Sequence, residues 1–168
     1  DETLCSLISP VINQCVKLFP DRTFKLPKFG RYNSWFDENF RSEEEWALAR
    51  EHFFTDEFYL TLPPVLSANH SPGLERFSEV CWSKFDKIYV VTAREGFMQN
   101  PAEVSQEWLR RNKFKDADRI EYIVVNHSQS KLSVVSEPTL FVDDSVGLGN
   151  EVCNSQDHSM IMVNHPWN

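Results

Sequence analysis

Two adjacent carboxylates, Asp143 and Asp144, follow directly on the apolar run Leu140-Phe141-Val142. Neighbouring acids repel each other, and a hard cation such as Mg²⁺ relieves that cost. Two further groups occupy comparable positions. Thr92 ends the β-branched and aromatic run 87–92, and Lys131 follows the run 120–125. All of these lie at or just beyond the end of an expected strand. Open α/β sheets bind their ligands outside the carboxyl ends of their strands. A hydroxyl, an ammonium and two carboxylates there would make a phosphate-plus-metal site. Thr92 would donate a hydrogen bond to a phosphoryl oxygen, and Lys131 would neutralise charge as the transition state develops. Asp143 and Asp144 would hold Mg²⁺, which polarises and orients the phosphoryl group. Arg94 could add a second cation. Each residue also has a plainer reading: an Asp-rich turn after a strand, a hydroxyl capping a turn, a solvated loop lysine, an Arg94–Glu95 pair.

The elements that must position these groups follow from periodicity. Leu4, Leu7, Ile8, Val11, Ile12, Cys15 and Val16 recur at helical spacing, with Pro10 implying a kink or a late start. Residues 23–42 are aromatic and irregular. Ser42 with Glu45 reads as a capping box for a helix through Trp46, Leu48, Ala49 and Phe53. A second aromatic stretch, 54–62, ends at Pro63-Pro64. Residues 10–68 thus read as a small helical unit. From 69 to 168 the pattern is α/β. A helix from Ser71-Pro72-Gly73 turns Leu74, Phe77, Val80 or Cys81, and Phe85 inward. Strand 87–92 precedes a helix opened by an Asn100 cap and Pro101, with Val104, Trp108 and Leu109 inside. Strand 120–125, the Lys131 loop, the Asp143 strand, a short helix from Ser145 to Cys153 and a strand over 160–163 complete the chain. Alternating strands and helices imply βαβ units and a parallel sheet.

The 168 residues are enough for one domain with a sizeable core. The net charge of −8 argues against general nucleic-acid binding, which rests on clustered Lys and Arg. Four dispersed cysteines without a CxxC pair signal neither a zinc site nor a disulfide framework. Cys5, Cys15 and Cys81 fall at apolar helical positions and read as buried thiols. A reducing compartment, the cytoplasm, is the expected location; an organelle after removal of a leader is compatible with a start at Asp1. No apolar run reaches the length of a membrane span.

The ordered set Val90-Val91-Thr92-Ala93-Arg94, Ser130-Lys131 and Leu140-Phe141-Val142-Asp143-Asp144-Ser145 resembles the second, third and fourth motifs of the haloacid-dehalogenase-like (HAD) phosphohydrolases. It looks most like their 5′(3′)-deoxyribonucleotidase group. Ser130-Lys131-Leu132-Ser133-Val134-Val135 and the closing His165-Pro166-Trp167-Asn168 extend the resemblance to nearly the whole chain. It implies a Rossmannoid three-layer sandwich with a parallel sheet and a helical cap inserted over 10–68. It also implies Mg²⁺-dependent hydrolysis of a small phosphomonoester, such as a nucleotide 5′-phosphate. In that group cap aromatics stack on the base, for which Trp35, Phe36, Trp46 and Phe53 are candidates; such rings are also the ordinary core of a small helical unit.

The first motif is incomplete. Asp1-Glu2-Thr3-Leu4 resembles its second half, so Asp1 matches the general acid/base. The nucleophile, and the central strand carrying it, would lie ahead of Asp1. Three explanations stand. The natural polypeptide continues upstream. The domain is catalytically inactive and binds a ligand or a protein within a larger chain. Or the match of residues 1–4 is a coincidence and the first strand is lost or replaced.

Overall fold

The computed structural model describes residues 3–26, 38–53, 55–65, 73–94, 98–126 and 128–164. Helix α1 (Ile8–Leu18) buries Ile8, Val11 and Cys15. Pro10 sits in its first turn, where a missing N–H costs nothing, so the helix starts late instead of kinking. Helix α2 (Glu43–Phe53) packs on α1 and buries Ala49 and Phe53. Its capping box is half formed. Ser42 Oγ accepts the Glu45 N–H at 3.3 Å, but the Glu45 carboxylate takes the Arg41 N–H at 2.7 Å and the Arg22 guanidinium. Helix α3 (Asp56–Leu60) is capped by Thr55, whose Oγ1 accepts the Phe58 N–H at 3.1 Å.

Helix α4 (Gly73–Lys84) buries Leu74 and Ser78. Phe85, expected inside, is 42% exposed; of the alternatives Val80 and Cys81, Val80 is 46% exposed and Cys81 half-buried. The inner stripe runs through Ser78 instead, because its hydroxyl is fully satisfied there: it donates to Glu75 O and accepts the Lys115 N–H at 2.8 Å. A buried hydroxyl with both partners carries little penalty.

Two βαβ units follow. In the first, β1 (Tyr89–Thr92) and β2 (Glu121–Val124) pair in parallel, joined through α5 (Pro101–Arg111). The expected inner face of α5, Val104, Trp108 and Leu109, is buried. Asn100 stands at its N-cap without a side-chain cap bond, so Pro101 alone marks the start. In the second unit, β3 (Leu140–Asp143) and β4 (Ser159–Met162) pair in parallel through α6 (Val146–Cys153). Lys131 opens a 3-10 turn, Lys131–Val134, where a plain loop was expected.

The α/β class and the parallel pairing are as expected. Among the described residues the strands form two two-stranded sheets, β1–β2 and β3–β4, where one sheet was expected. Among the described residues no strand lies between β1 and β3, and a cavity of about 560 Å³ runs along both. The Leu140–Asp143 strand is therefore not uniformly buried: Phe141 is inside, while Leu140 is 37% exposed.

The core divides likewise. A large cluster joins α1, α2, α3 and α5 with Ile88, Val90 and Tyr122 packed against it. A smaller one gathers Val135, Phe141, Leu148 and Val152, with Tyr89 and Val91 of β1 reaching it from across the cavity. Backbone bonds from Ser6 N–H to Pro63 O and from Val65 N–H to Leu4 O, each 2.8 Å, tie the two ends of the helical part together. The Trp108 indole donates to Leu62 O at 2.8 Å. Cys5, Cys15, Cys81 and Cys153 form no disulfide; Cys5 and Cys15 are buried, Cys81 is half-buried and Cys153 exposed. No described helix is long and apolar enough to cross a membrane.

Candidate functional site

The carboxyl ends of β1 and β3 carry the polar rim of the cavity. Asp143 closes β3, is buried, and has both carboxylate oxygens engaged. Its Oδ2 accepts from Lys131 Nζ at 2.7 Å, and its Oδ1 accepts the Ser145 N–H at 2.8 Å. The second contact is an Asx turn, which Asp favours because its short side chain reaches the backbone two residues on. Ser145 then caps α6, its Oγ accepting the Leu148 N–H at 3.2 Å. Lys131 is aimed by its 3-10 turn, where Ser130 Oγ accepts the Leu132 N–H at 3.1 Å. The next carboxylate, Asp144, accepts a hydrogen bond on Oδ1 from Thr3 Oγ1 at 2.9 Å. The first described residue of the chain is thereby tied to the end of β3.

Thr92 is buried at the end of β1, where its carbonyl accepts the Val125 N–H at 2.9 Å. Arg94, two residues on, lies over the Tyr59 ring at 4.1 Å. Burial pushes its guanidinium down to about 10, so it stays charged at neutral pH. The ring face offers a partner to a desolvated cation. Thr3, Thr92, Arg94, Lys131 and Asp143 all line the same cavity.

Of the residues singled out in the sequence, the structure brings Lys131 and Asp143 into contact and sets Thr92 and Arg94 around the same space. Asp1, Trp35 and Phe36 lie outside the described residues, as does the closing His165-Pro166-Trp167-Asn168. Trp46 sits apart from the cavity lining, its ring 5.2 Å from Phe40 in a cluster that includes Phe19 and Phe24. Phe53 is fully buried core. Sequence reasoning gave no role to Thr3, Tyr59 or Ser145. The Asp-x-Ser spacing signals the Ser145 turn; no local pattern announces the other two.

The donor set can be weighed against Mg²⁺. Adjacent carboxylates are the right kind, since Mg²⁺ binds through one or two carboxylates plus substrate phosphate and retained waters. Among the described residues, no group of three or more His, Cys, Asp or Glu side chains could hold a metal alone. Asp143 and Asp144 would therefore supply part of a coordination shell, with the phosphate and waters supplying the rest.

No family model matches the chain, and no curated protein matches it.

Proposed function

We propose that this chain is the body of a Mg²⁺-dependent phosphomonoester hydrolase of the HAD type. The substrate class is a small phosphorylated molecule, with a nucleotide 5′-phosphate as the leading candidate. On this reading the two βαβ units belong to one Rossmannoid sandwich, and residues 10–68 form its helical cap. The observation that carries the proposal is the 2.7 Å contact between Lys131 and Asp143, beside Thr92 and Arg94 on one cavity. The ends of β1 and β3 and the Lys131 turn give one cavity two cations, the Asp143 carboxylate and the Thr92 hydroxyl, with Asp144 next in the chain. That is the inventory a phosphoryl group requires.

The chain's own residues divide the work. Lys131 holds the Asp143 carboxylate in place, and its ammonium is available to the negative charge that grows on a transferring phosphoryl group. The Thr92 hydroxyl donates to a non-bridging oxygen. Arg94 supplies fixed positive charge in a water-poor setting, where it acts more strongly than in bulk solvent. Mg²⁺, when bound by Asp143 and Asp144, would polarise the phosphoryl group. Asp1 would serve as general acid/base.

A second reading has an observation of its own. Protein donors hold both oxygens of Asp143, Lys131 Nζ and the Ser145 N–H, so a structural role alone accounts for its burial. That favours a catalytically inactive domain of the same fold, binding a ligand or another protein. Melting with added Mg²⁺ separates the two. A ligand bound only by the folded state stabilises it by about 2.7 kcal/mol at a hundredfold excess over Kd. The enzyme reading expects a rise in Tm with Mg²⁺ that Asp143→Asn and Asp144→Asn abolish. It also expects phosphate release from nucleoside 5′-monophosphates, sugar phosphates or aryl phosphates by the longest natural form of the chain. No Mg²⁺ response and no release from any of these would leave the binding-domain reading standing.

A further inference from the structure

We propose that Tyr59 is the positioning residue for Arg94: its ring, carried by α3, holds the guanidinium at the cavity so that an entering anionic group meets a cation already in place. This role rests on the reading of the cavity as a phosphate site, and it names the residue that aims one of the two cations there.

The two partners come from distant parts of the chain. Arg94 follows the carboxyl end of β1, and Tyr59 belongs to α3. The guanidinium carbon lies 4.1 Å from the ring centroid, and both residues line the cavity together with Thr92. A ring within about 6 Å attracts a cation through its quadrupole, most strongly where water is excluded. Burial disfavours the charge on Arg94, so the contact falls where such attraction counts most.

A ring does here what a carboxylate would not. It bears no net charge, so it holds the guanidinium without cancelling it. It also covers the face of the planar group, while the five N–H donors point outward in the plane. A phosphoryl group can take those donors while the stack persists. Lys131 is held differently, by the Asp143 carboxylate at 2.7 Å. Lys87, another cavity-lining cation over a ring, precedes β1 and so stands at its opposite end, paired with Glu121 at 2.9 Å.

The ring itself is fixed. Tyr59 is 2% exposed. Its N–H donates to Thr55 O at 3.1 Å, and the Phe58 ring meets it edge-on at 6.2 Å. Just past α3, Leu62 O accepts the buried Trp108 indole N–H at 2.8 Å, which pins the helix exit to α5. Arginine has much rotamer freedom to lose. A rigid ring removes that loss from the binding step, which is how preorganisation raises affinity.

The test uses the longest natural form of the chain, with inorganic phosphate as the probe and calorimetric titration as the readout. Tyr59→Phe serves as the reference. Phenylalanines bearing one, two and three ring fluorines at position 59 then withdraw charge from the ring face at nearly constant shape. Phosphate affinity should fall stepwise along this series, by about tenfold in all, with Tm unchanged. The Arg94 Nε–H resonance should keep its ring-current shift in Tyr59→Phe and lose it in Tyr59→Leu. Phe58 is not among the residues lining the cavity, and Phe58→Leu, which loosens the same helix, should leave phosphate affinity unaltered. The proposal is overturned if the unsubstituted chain binds phosphate and fluorination leaves the affinity unchanged, or if Phe58→Leu costs as much affinity as Tyr59→Leu. An unsubstituted chain that does not bind phosphate at all overturns the phosphate-site reading, and this role for Tyr59 with it.

Discussion

Asp143 gains one partner from its own turn and another from twelve residues away. The pair is largely shielded, with the Lys131 and Asp143 side chains 25% and 11% exposed. Removing the ammonium leaves a carboxylate in a poor place for charge. Lys131→Met should therefore destabilise the fold by about 2–4 kcal/mol in urea unfolding, whereas Lys131→Met combined with Asp143→Leu should recover much of the loss. A double variant as unstable as the single one would mean the pair acts through something other than charge burial. At this scale the sequence was legible where a polar side chain closes an apolar strand, as at Thr92 and Asp143. It was silent on the Thr3–Asp144 bond, whose partners stand 141 residues apart. Nothing in either neighbourhood encodes a hydroxyl meeting a carboxylate across the whole chain.

Elements were readable where local rules and burial agree. α5 and α6 follow their apolar stripes, and α6 begins at the Ser145 cap. α4 departs from its pattern because a satisfied serine competes with valine for the inner face, and periodicity counts only apolar residues. The caps differ just as visibly. Thr55 and Ser145 accept backbone N–H groups at their helix starts, while Asn100 does not. Thr55→Ala and Ser145→Ala should each cost about 1 kcal/mol, and Asn100→Ala less than about half of that, by equilibrium denaturation. An equal cost at Asn100 would show a cap bond formed in solution. Pairing between strands was readable within each βαβ unit. Across units it was not, since among the described residues β1 and β3 are not paired and no strand of residues 3–88 lies between them.

For the molecule as a whole, burial governs the response to alkali. Cys15 is fully buried, and burial pushes its thiol up to about 12. In the unfolded chain a thiol ionises near about 8.5. Between those values the folded state keeps a proton that the unfolded state has lost. The stability this group contributes is intact below about pH 8.5 and falls as pH rises toward the folded value. Burial raises Cys81 and Tyr122 as well, so they act in the same direction. Cys15→Ala should make the decline between about pH 9 and 11 shallower by close to one proton's worth of slope. An unchanged slope would mean Cys15 is open to water.

Two hydrophobic clusters of unequal size make up the described core, and Tyr89 and Val91 of β1 pack against the smaller. Separate clusters favour weak cooperativity between them. The smaller lobe, with β3, α6 and β4, should melt ahead of the larger, and the calorimetric enthalpy should exceed the van 't Hoff enthalpy. Whatever ties the lobes together would then convert two thermal transitions into one, so that this region's fate on heating becomes a direct gauge of how tightly the halves are coupled.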